Sequence, residues 1–340
     1  MNRKEEYITL AHGGGGTRSW ELINEVIIPS LGVESIPLED SANLGNISGE
    51  LALTTDSFVI TPRFFPGGDL GRLAVIGTAN DLAVAGARPL FLTLSLIIEE
   101  GFSIGELGQL LSSAGQASQE IGCSIIAGDT KVVPRGGLDG LFFNTSGVGE
   151  VAILPAPSVC GVVPGDELVV SGDIGRHEAA VMLARGAFGI SGTLESDLAY
   201  VGEGLFSLSA SGITVHFARD LTRGGLAMAL YEAAISSRVG ILLKEIDIPV
   251  LPQVQGLCSL LGTEPWNMAG EGTFIAAVAG GEGGRACDIL RSVGFMQAQV
   301  IGVVKSAYPG ARLGQVRMLT KIGTERIVPP PLGETNPRIC

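Results

Sequence analysis

Residues 153–172 read ILPAPSVCGVVPGDELVVSG, and Pro155, Pro157 and Pro164 break the apolar patterning before a strand-like run resumes at 167–171. Proline lacks a main-chain donor and restrains the residue before it, so neither a helix nor a central strand continues through this stretch. At 340 residues the chain is also long for a single core. The expectation is two domains, 1–154 and 155–326, with a tail at 327–340.

Upstream of the break, 51–60 (LALTTDSFVI), 90–98 (LFLTLSLII), 124–127 (SIIA) and 141–148 (LFFNTSGV) are short, partly β-branched apolar runs that predict buried strands. A helix is predicted from Ser103 to Ile121, where Ile104, Leu107, Leu110, Leu111, Ala114 and Ala117 recur at helical spacing and Gly122 supplies the stop. Another covers Asp69 to Ala85. Downstream, strands are expected near 167–171, 213–217, 273–279 and 298–304, with helices near 177–186, 222–235 and 283–293. The alternation is not strict, so the fold class is α+β, with a doubly wound nucleotide fold as the alternative.

The tail holds Pro329, Pro330, Pro331 and Pro337 and few apolar residues, which predicts an extended, mobile arm. Fourteen residues at roughly 3.3 Å each span on the order of 45 Å, enough to cross to another domain or subunit. Cys340 closes the sequence beside Arg338 and the α-carboxylate, which raises the thiol pKa, so activation must come from an acceptor. Cys123, Cys160, Cys258 and Cys287 lie among small and aliphatic residues, without a C-x-x-C pair. Neither a disulfide framework nor a zinc site is suggested by that spacing.

The net charge is −13, from 22 basic and 35 acidic residues, which opposes a nucleic-acid partner. No run approaches the roughly 20 apolar residues that cross a bilayer, and the start of the chain has no apolar signal core. The expected location is the cytoplasm. An acidic chain still binds nucleotide where divalent cations stand between carboxylates and phosphates.

His12 precedes Gly13, Gly14, Gly15 and Gly16 and then a helix-like segment. That arrangement suits a flexible turn as well as a phosphate cradle, and it is neither a dinucleotide fingerprint nor a Walker loop. Asp56 (TTDSF), Asp81 (TANDLA) and Asp129 (AGDTK) stand at element edges among small residues. They suit convergence on Mg²⁺ and a triphosphate, and equally the capping of helices and turns. Thr130 and Lys131 follow Asp129; Lys131 is either a phosphate-binding cation or a solvated loop residue. Glu271 in MAGEGTF has glycines on both sides that leave room for a ligand, or for a turn. Thr222 to Gly225 open a helix as a second candidate anion site, where Asp220 and Thr222 are also ordinary N-cap residues.

Together these segments resemble the hydrogenase maturation factor HypE family, in the superfamily of aminoimidazole ribonucleotide synthetase, selenophosphate synthetase and thiamine-monophosphate kinase. The resemblance rests on LAHGGGG (10–16), TTDSFV (54–59), FFPGGDLGRLAVIGTANDLAVAGARPLFL (64–92), IIEEGF (97–102), AGDTKVV (127–133), LTRGGLA (221–227), AGEGTF (269–274) and PRIC (337–340). It implies an N-terminal α+β domain that dimerises by sheet pairing, with ATP near the subunit interface, and a C-terminal α/β domain. Asp56, Asp81 and Asp129 match the family's Mg–ATP carboxylates, Gly13 to Gly16 its phosphate-covering loop, and His12 the histidine before that loop. Lys131 and Glu271 match residues proposed to handle protons. The family accepts carbamoyl from the carbamoyltransferase HypF on its terminal cysteine, here Cys340. ATP then drives dehydration to a thiocyanate, and the nitrile passes to a HypC–HypD complex on its way to hydrogenase iron.

The chain departs from the family pattern at Gly270, where Asn is usual before the glutamate. Arg176 and Glu178 flank His177 where Asp and Gly are common, and Tyr231 replaces a common Asn. A selenophosphate synthetase needs an early reactive cysteine or selenocysteine, and none precedes Cys123. A ribonucleotide synthetase or thiamine-monophosphate kinase has no use for a PRIC tail. A nucleotide-binding dimeric scaffold is the non-catalytic rival.

Overall fold

A computed structural model describes residues 6–33, 41–186, 189, 192–310 and 314–331. It opens with a 3-10 turn (Leu10–Gly13), then α1 (Thr17–Leu22), a π-helical turn (Ile23–Ile27) and α2 (Ile28–Leu31). Next come β1 (Leu51–Phe58), a hairpin of β2 (Phe64–Phe65) and β3 (Gly68–Asp69), α3 (Leu70–Val84), β4 (Ala87–Glu99), α4 (Ile104–Ile121), β5 (Ser124–Val133) and β6 (Leu141–Val151). The second half runs β7 (Glu167–Val170), α5 (Arg176–Ala184), α6 (Gly202–Ala210), β8 (Val215–Asp220), α7 (Gly225–Ser237), β9 (Gly240–Lys244), α8 (Pro252–Leu261), β10 (Phe274–Val278), α9 (Gly283–Ser292), β11 (Gln299–Lys305), β12 (Gln315–Leu319) and β13 (Glu325–Ile327).

The first sheet has the order β1-β6-β4-β5, antiparallel except for β4 and β5, which α4 joins by a crossover. Ser103 caps α4 by accepting from the Glu106 amide at 3.3 Å, and Gly122 ends it in the left-handed region. The helix buries one apolar stripe, Leu107, Leu110, Leu111, Ala114 and Ala117. The Asp69 carboxylate caps α3, accepting from the Gly71 and Arg72 amides at 2.8 and 3.0 Å. Unlike α4, α3 is buried around nearly its whole circumference. It lies on the first sheet and also meets α6 and β8 of the second half.

The second sheet has the order β13-β12-β9-β11-β7-β10-β8, and only β12 and β9 pair in parallel. That antiparallel pattern excludes the doubly wound alternative and makes the fold α+β. One face packs on α7 through Leu226, Leu230 and Ala234, and the other on α6 and α9 through Leu205, Leu208 and Leu290. Ala83 and Val84 of α3 join the second of these cores, so α3 is the beam that ties the halves together.

Ile327 and Val328, expected to open the extended tail, belong to the fold instead. β13 pairs with β12, the Val328 amide donates to Val316 O at 3.0 Å, and Val328 is buried in the second core. Pro329, Pro330 and Pro331 then line a cavity of about 310 Å³ with Trp266 and Arg326.

Candidate active site

Asp56 is the sixth residue of β1, on the face that carries α3. From α3, Thr78 donates to Asp56 Oδ2 at 3.4 Å and shares a short hydroxyl contact with Thr145 of β6. One turn along, Asp81 accepts from Thr54 Oγ1 at 2.8 Å. Helical spacing thus aims Thr78 and Asp81 at the same strand edge. Burial pushes the Asp56 carboxyl up to about 6, and the neighbouring Asp81 charge adds to it.

The second half supplies two further carboxyl groups to the same cleft. Asp220, at the end of β8, is pushed up to about 7 by burial and by Asp81. Glu271, in the turn before β10, is held well above the usual range by burial first and then by Asp220, Asp197, Asp56 and Asp81. Asp220 Oδ2 and Glu271 Oε1 are buried without a hydrogen-bond partner. Arg223 acts on Asp56 with the opposite sign. Crowded carboxyl groups with orphaned oxygens fit a cation. Among the described residues no three His, Cys, Asp or Glu side chains are grouped to hold a metal alone, so a cation here must complete its shell elsewhere. Mg²⁺ does so with phosphate oxygens and water.

The remaining predicted residues lie at the opposite edge of the first sheet. Asp56, Thr145, Leu94 and Gly128 form one cross-strand row, which puts β5 three strand spacings, roughly 14 Å, from β1. Asp129 pairs with Ser95 in the next row, so its side chain points to the other face. It is exposed, with Lys131 Nζ 3.8 Å from its carboxylate, and Thr130 lies between them on the strand. Within one chain, then, Asp56 and Asp81 meet Glu271, while Asp129, Thr130 and Lys131 stand apart from them.

The glycine loop belongs to the β5 edge. A Cβ on Gly13 would lie 2.8 Å from Val132 Cβ and from Val132 N, so only glycine lets the loop approach the strand that carries Lys131. The Thr9 amide donates to Nδ1 of the buried His12 at 2.9 Å, which leaves the ring proton on Nε2. No substituent on Gly14, Gly15 or Gly16 would meet side chains beyond this loop. Cys340 lies outside the described residues. Pro331, the last described residue, sits beside the Arg223 loop: a Cβ on Gly224 would be 3.5 Å from Pro331 Cγ.

Asp220 and Asp197 were not foreseen in the site. Asp220 read as a helix cap, but α7 starts five residues later at Gly225, a gap that a strand ending at Asp220 explains. Asp197 lies in an irregular stretch without periodicity and gave no signal.

Two family models match the chain, "AIR synthase related protein, N-terminal domain" over residues 39–151 and "AIR synthase related protein, C-terminal domain" over residues 163–311. The carbamoyl dehydratase HypE of Rhodobacter capsulatus is 41% identical over 344 residues, covering 100% of each chain. The chain belongs to the HypE family. A HypE crystal structure in complex with ATP superimposes with a TM-score of 0.91 at 38% identity, covering 97% of this chain and 99% of that one. The HypE chain of a HypE–HypF complex has a TM-score of 0.79 at 38% identity, with 93% and 100% covered. HypE family membership fixes the two-domain architecture; among the described residues no helix is long and apolar enough to cross a membrane.

Proposed function

We propose that this chain uses ATP to dehydrate an S-carbamoyl group on its own Cys340 to a thiocyanate, the source of the cyanide ligand of [NiFe] hydrogenase iron. As a member of the HypE family it is a carbamoyl dehydratase of hydrogenase maturation. HypF supplies the carbamoyl group, and a HypC–HypD complex takes the nitrile.

An amide oxygen is a poor leaving group. Transfer of the γ-phosphoryl group to the carbamoyl oxygen makes it a phosphate ester; loss of phosphate and of the N–H protons leaves S–C≡N, with ADP as the other product. Bound Mg²⁺ would neutralise charge on the phosphates. Asp56, Asp81 and Asp220 are the residues of this chain that face it; burial first, and then the neighbouring Asp81 charge, raises the Asp56 and Asp220 carboxyls, and a cation there would favour their ionised forms. Glu271, without a partner at Oε1, receives a proton from the carbamoyl nitrogen once a cation favours its ionised form.

The observation that carries this reading is the position of Pro331, the last described residue. Pro331 abuts Gly224, next to Arg223, whose charge acts on Asp56. Nine further residues at roughly 3.3 Å reach about 30 Å, ample for Cys340 to enter the cleft.

The separated β5 edge is best explained by a homodimer. The sheet face opposite α3 is open, with Leu51 51% and Leu53 75% exposed. A second copy laid face to face on it, related by a two-fold axis along the strands, sets the β5 edge of one over the β1 edge of the other. Asp129, Thr130, Lys131, His12 and the loop from Gly13 to Gly16 of one copy then serve ATP bound at the other's Asp56 and Asp81, with Lys131 as a second proton carrier.

The test is mass spectrometry of the peptide ending at Cys340 after incubation with HypF, carbamoyl phosphate and ATP. A carbamoyl adduct that loses water is expected, and Cys340→Ala should abolish it while leaving ATP binding intact. An unmodified native peptide sinks the carrier role.

A further inference from the structure

Glu271 has an unusual difficulty: its carboxyl is buried, yet Oε1 has no hydrogen-bond partner to fix its direction. Its aim therefore depends on the main chain that carries it. That main chain is gripped from one side by Asp197, whose Oδ1 accepts from the Glu271 amide at 3.2 Å and whose Oδ2 accepts from the Gly272 amide and from Thr273 Oγ1, both at 3.1 Å.

We propose that Asp197 is a positioning residue that aims Glu271 into the carboxylate cleft, and that Arg176 and Gly270 are the two residues that allow it to do so. The inference rests on the reading that Glu271 handles a proton of the carbamoyl group. Gly270 gives the carboxylate its place, because a Cβ there would lie 2.8 Å from Asp197 Oδ2. The space that the family's usual Asn side chain would enter is thus filled by Asp197. Arg176 provides the charge. Its guanidinium forks onto the buried Asp173, with Nε 2.8 Å from Oδ1 and Nη2 on Oδ2, and it also acts electrostatically on Asp197. An aspartate at position 176 would instead set a third negative charge beside Asp173 and Asp197. Glu178 completes the clamp: Oε2 accepts from the Ala269 amide at 2.8 Å, and the Glu178 amide donates to Ala269 O at 3.1 Å. Three of the four departures from the family pattern, Arg176, Glu178 and Gly270, accordingly act on one five-residue turn.

Two readouts test this on the full chain. Amide hydrogen exchange reads the grip directly and stands whether or not the chain dehydrates carbamoyl. Asp197→Asn should speed exchange at Glu271 and Gly272 by about tenfold or more while amides of α4 stay protected. With the carbamoylated protein at saturating ATP, the same variant should lose water about ten- to a hundredfold more slowly, with KM for ATP changed less than about twofold. Arg176→Gln, at a partly exposed position, should act in the same direction about three- to tenfold, and it carries the test should Asp197→Asn not fold. Unchanged exchange at both amides in a folded variant overturns the proposal. So does a raised KM with unchanged kcat, which would make Asp197 a nucleotide-binding residue instead.

Discussion

The Asn80 side chain donates to the main-chain oxygen of Glu271 at 3.2 Å, from one half of the molecule to the other. The same Nδ2 donates to Ala199 O at 3.1 Å, and Oδ1 accepts from the Val201 amide at 2.9 Å. One buried amide on α3 therefore pins the turn that bears Glu271 and the segment that follows Asp197. Asp81 is its neighbour on the helix, so the cleft's two walls are set by adjacent residues.

Asn80→Ala should cost about 2–4 kcal/mol, because it leaves buried amide and carbonyl groups unpaired and opens a cavity. Urea unfolding measures it. A midpoint within error of the native one would show that water or chain shifts replace the amide fully.

Asp81→Asn should have opposite effects on stability and binding. The amide keeps an acceptor for Thr54 Oγ1, while removal of the charge relieves Asp56, Asp220 and Glu271. The nucleotide-free protein should gain on the order of 1 kcal/mol. Mg–ATP affinity by calorimetry should fall about tenfold or more, for the same lost charge. A variant that binds as well as the native chain removes Asp81 from the cation site.

Stability of the nucleotide-free chain should fall as pH rises. Asp56 at about 6 and Asp220 at about 7 hold protons in the native state that the unfolded chain, with ordinary carboxyl groups near 3.8, has already lost. Their contribution is full below about pH 4 and is lost as pH rises through 6 and 7, by on the order of a few kcal/mol in all. Thermal melting from pH 5 to 8 should show the decline, and saturating Mg–ATP should flatten it. A melting temperature that climbs over this range contradicts the buried carboxyl pair.

Much of the fold was legible because its elements obey local rules. The stripe on α4 and its Ser103 and Gly122 caps are sequence features. α3 shows no stripe, since both halves bury it, but Asp69 and its small residues still marked it. The sequence predicts strand β5 only over 124–127, because Gly128, Asp129 and Lys131 look like a turn; an edge strand with an exposed face tolerates them. That strand's place also explains what was not legible in the site. Asp56, Asp81 and Asp129 have similar contexts, and nothing local encodes that two strands lie between β1 and β5. Asp220 enters the cleft only through the packing of the second sheet on α3.

The same separation makes a sharp prediction about active-site sharing. If ATP is held by Asp56 and Asp81 of one copy and by Asp129 of the other, Asp81→Asn and Asp129→Asn homodimers are each defective at both sites. Mixed dimers concentrate both changes in one site and restore the other to native composition. After subunit exchange, half the dimers are mixed and each has one intact site, so an equimolar mixture of the two inactive proteins should regain about a quarter of native water-loss activity. Differently tagged copies report whether exchange has occurred. Exchanged dimers without any regained activity would mean that Asp129 serves its own chain's site, and the face-to-face arrangement would have to be abandoned.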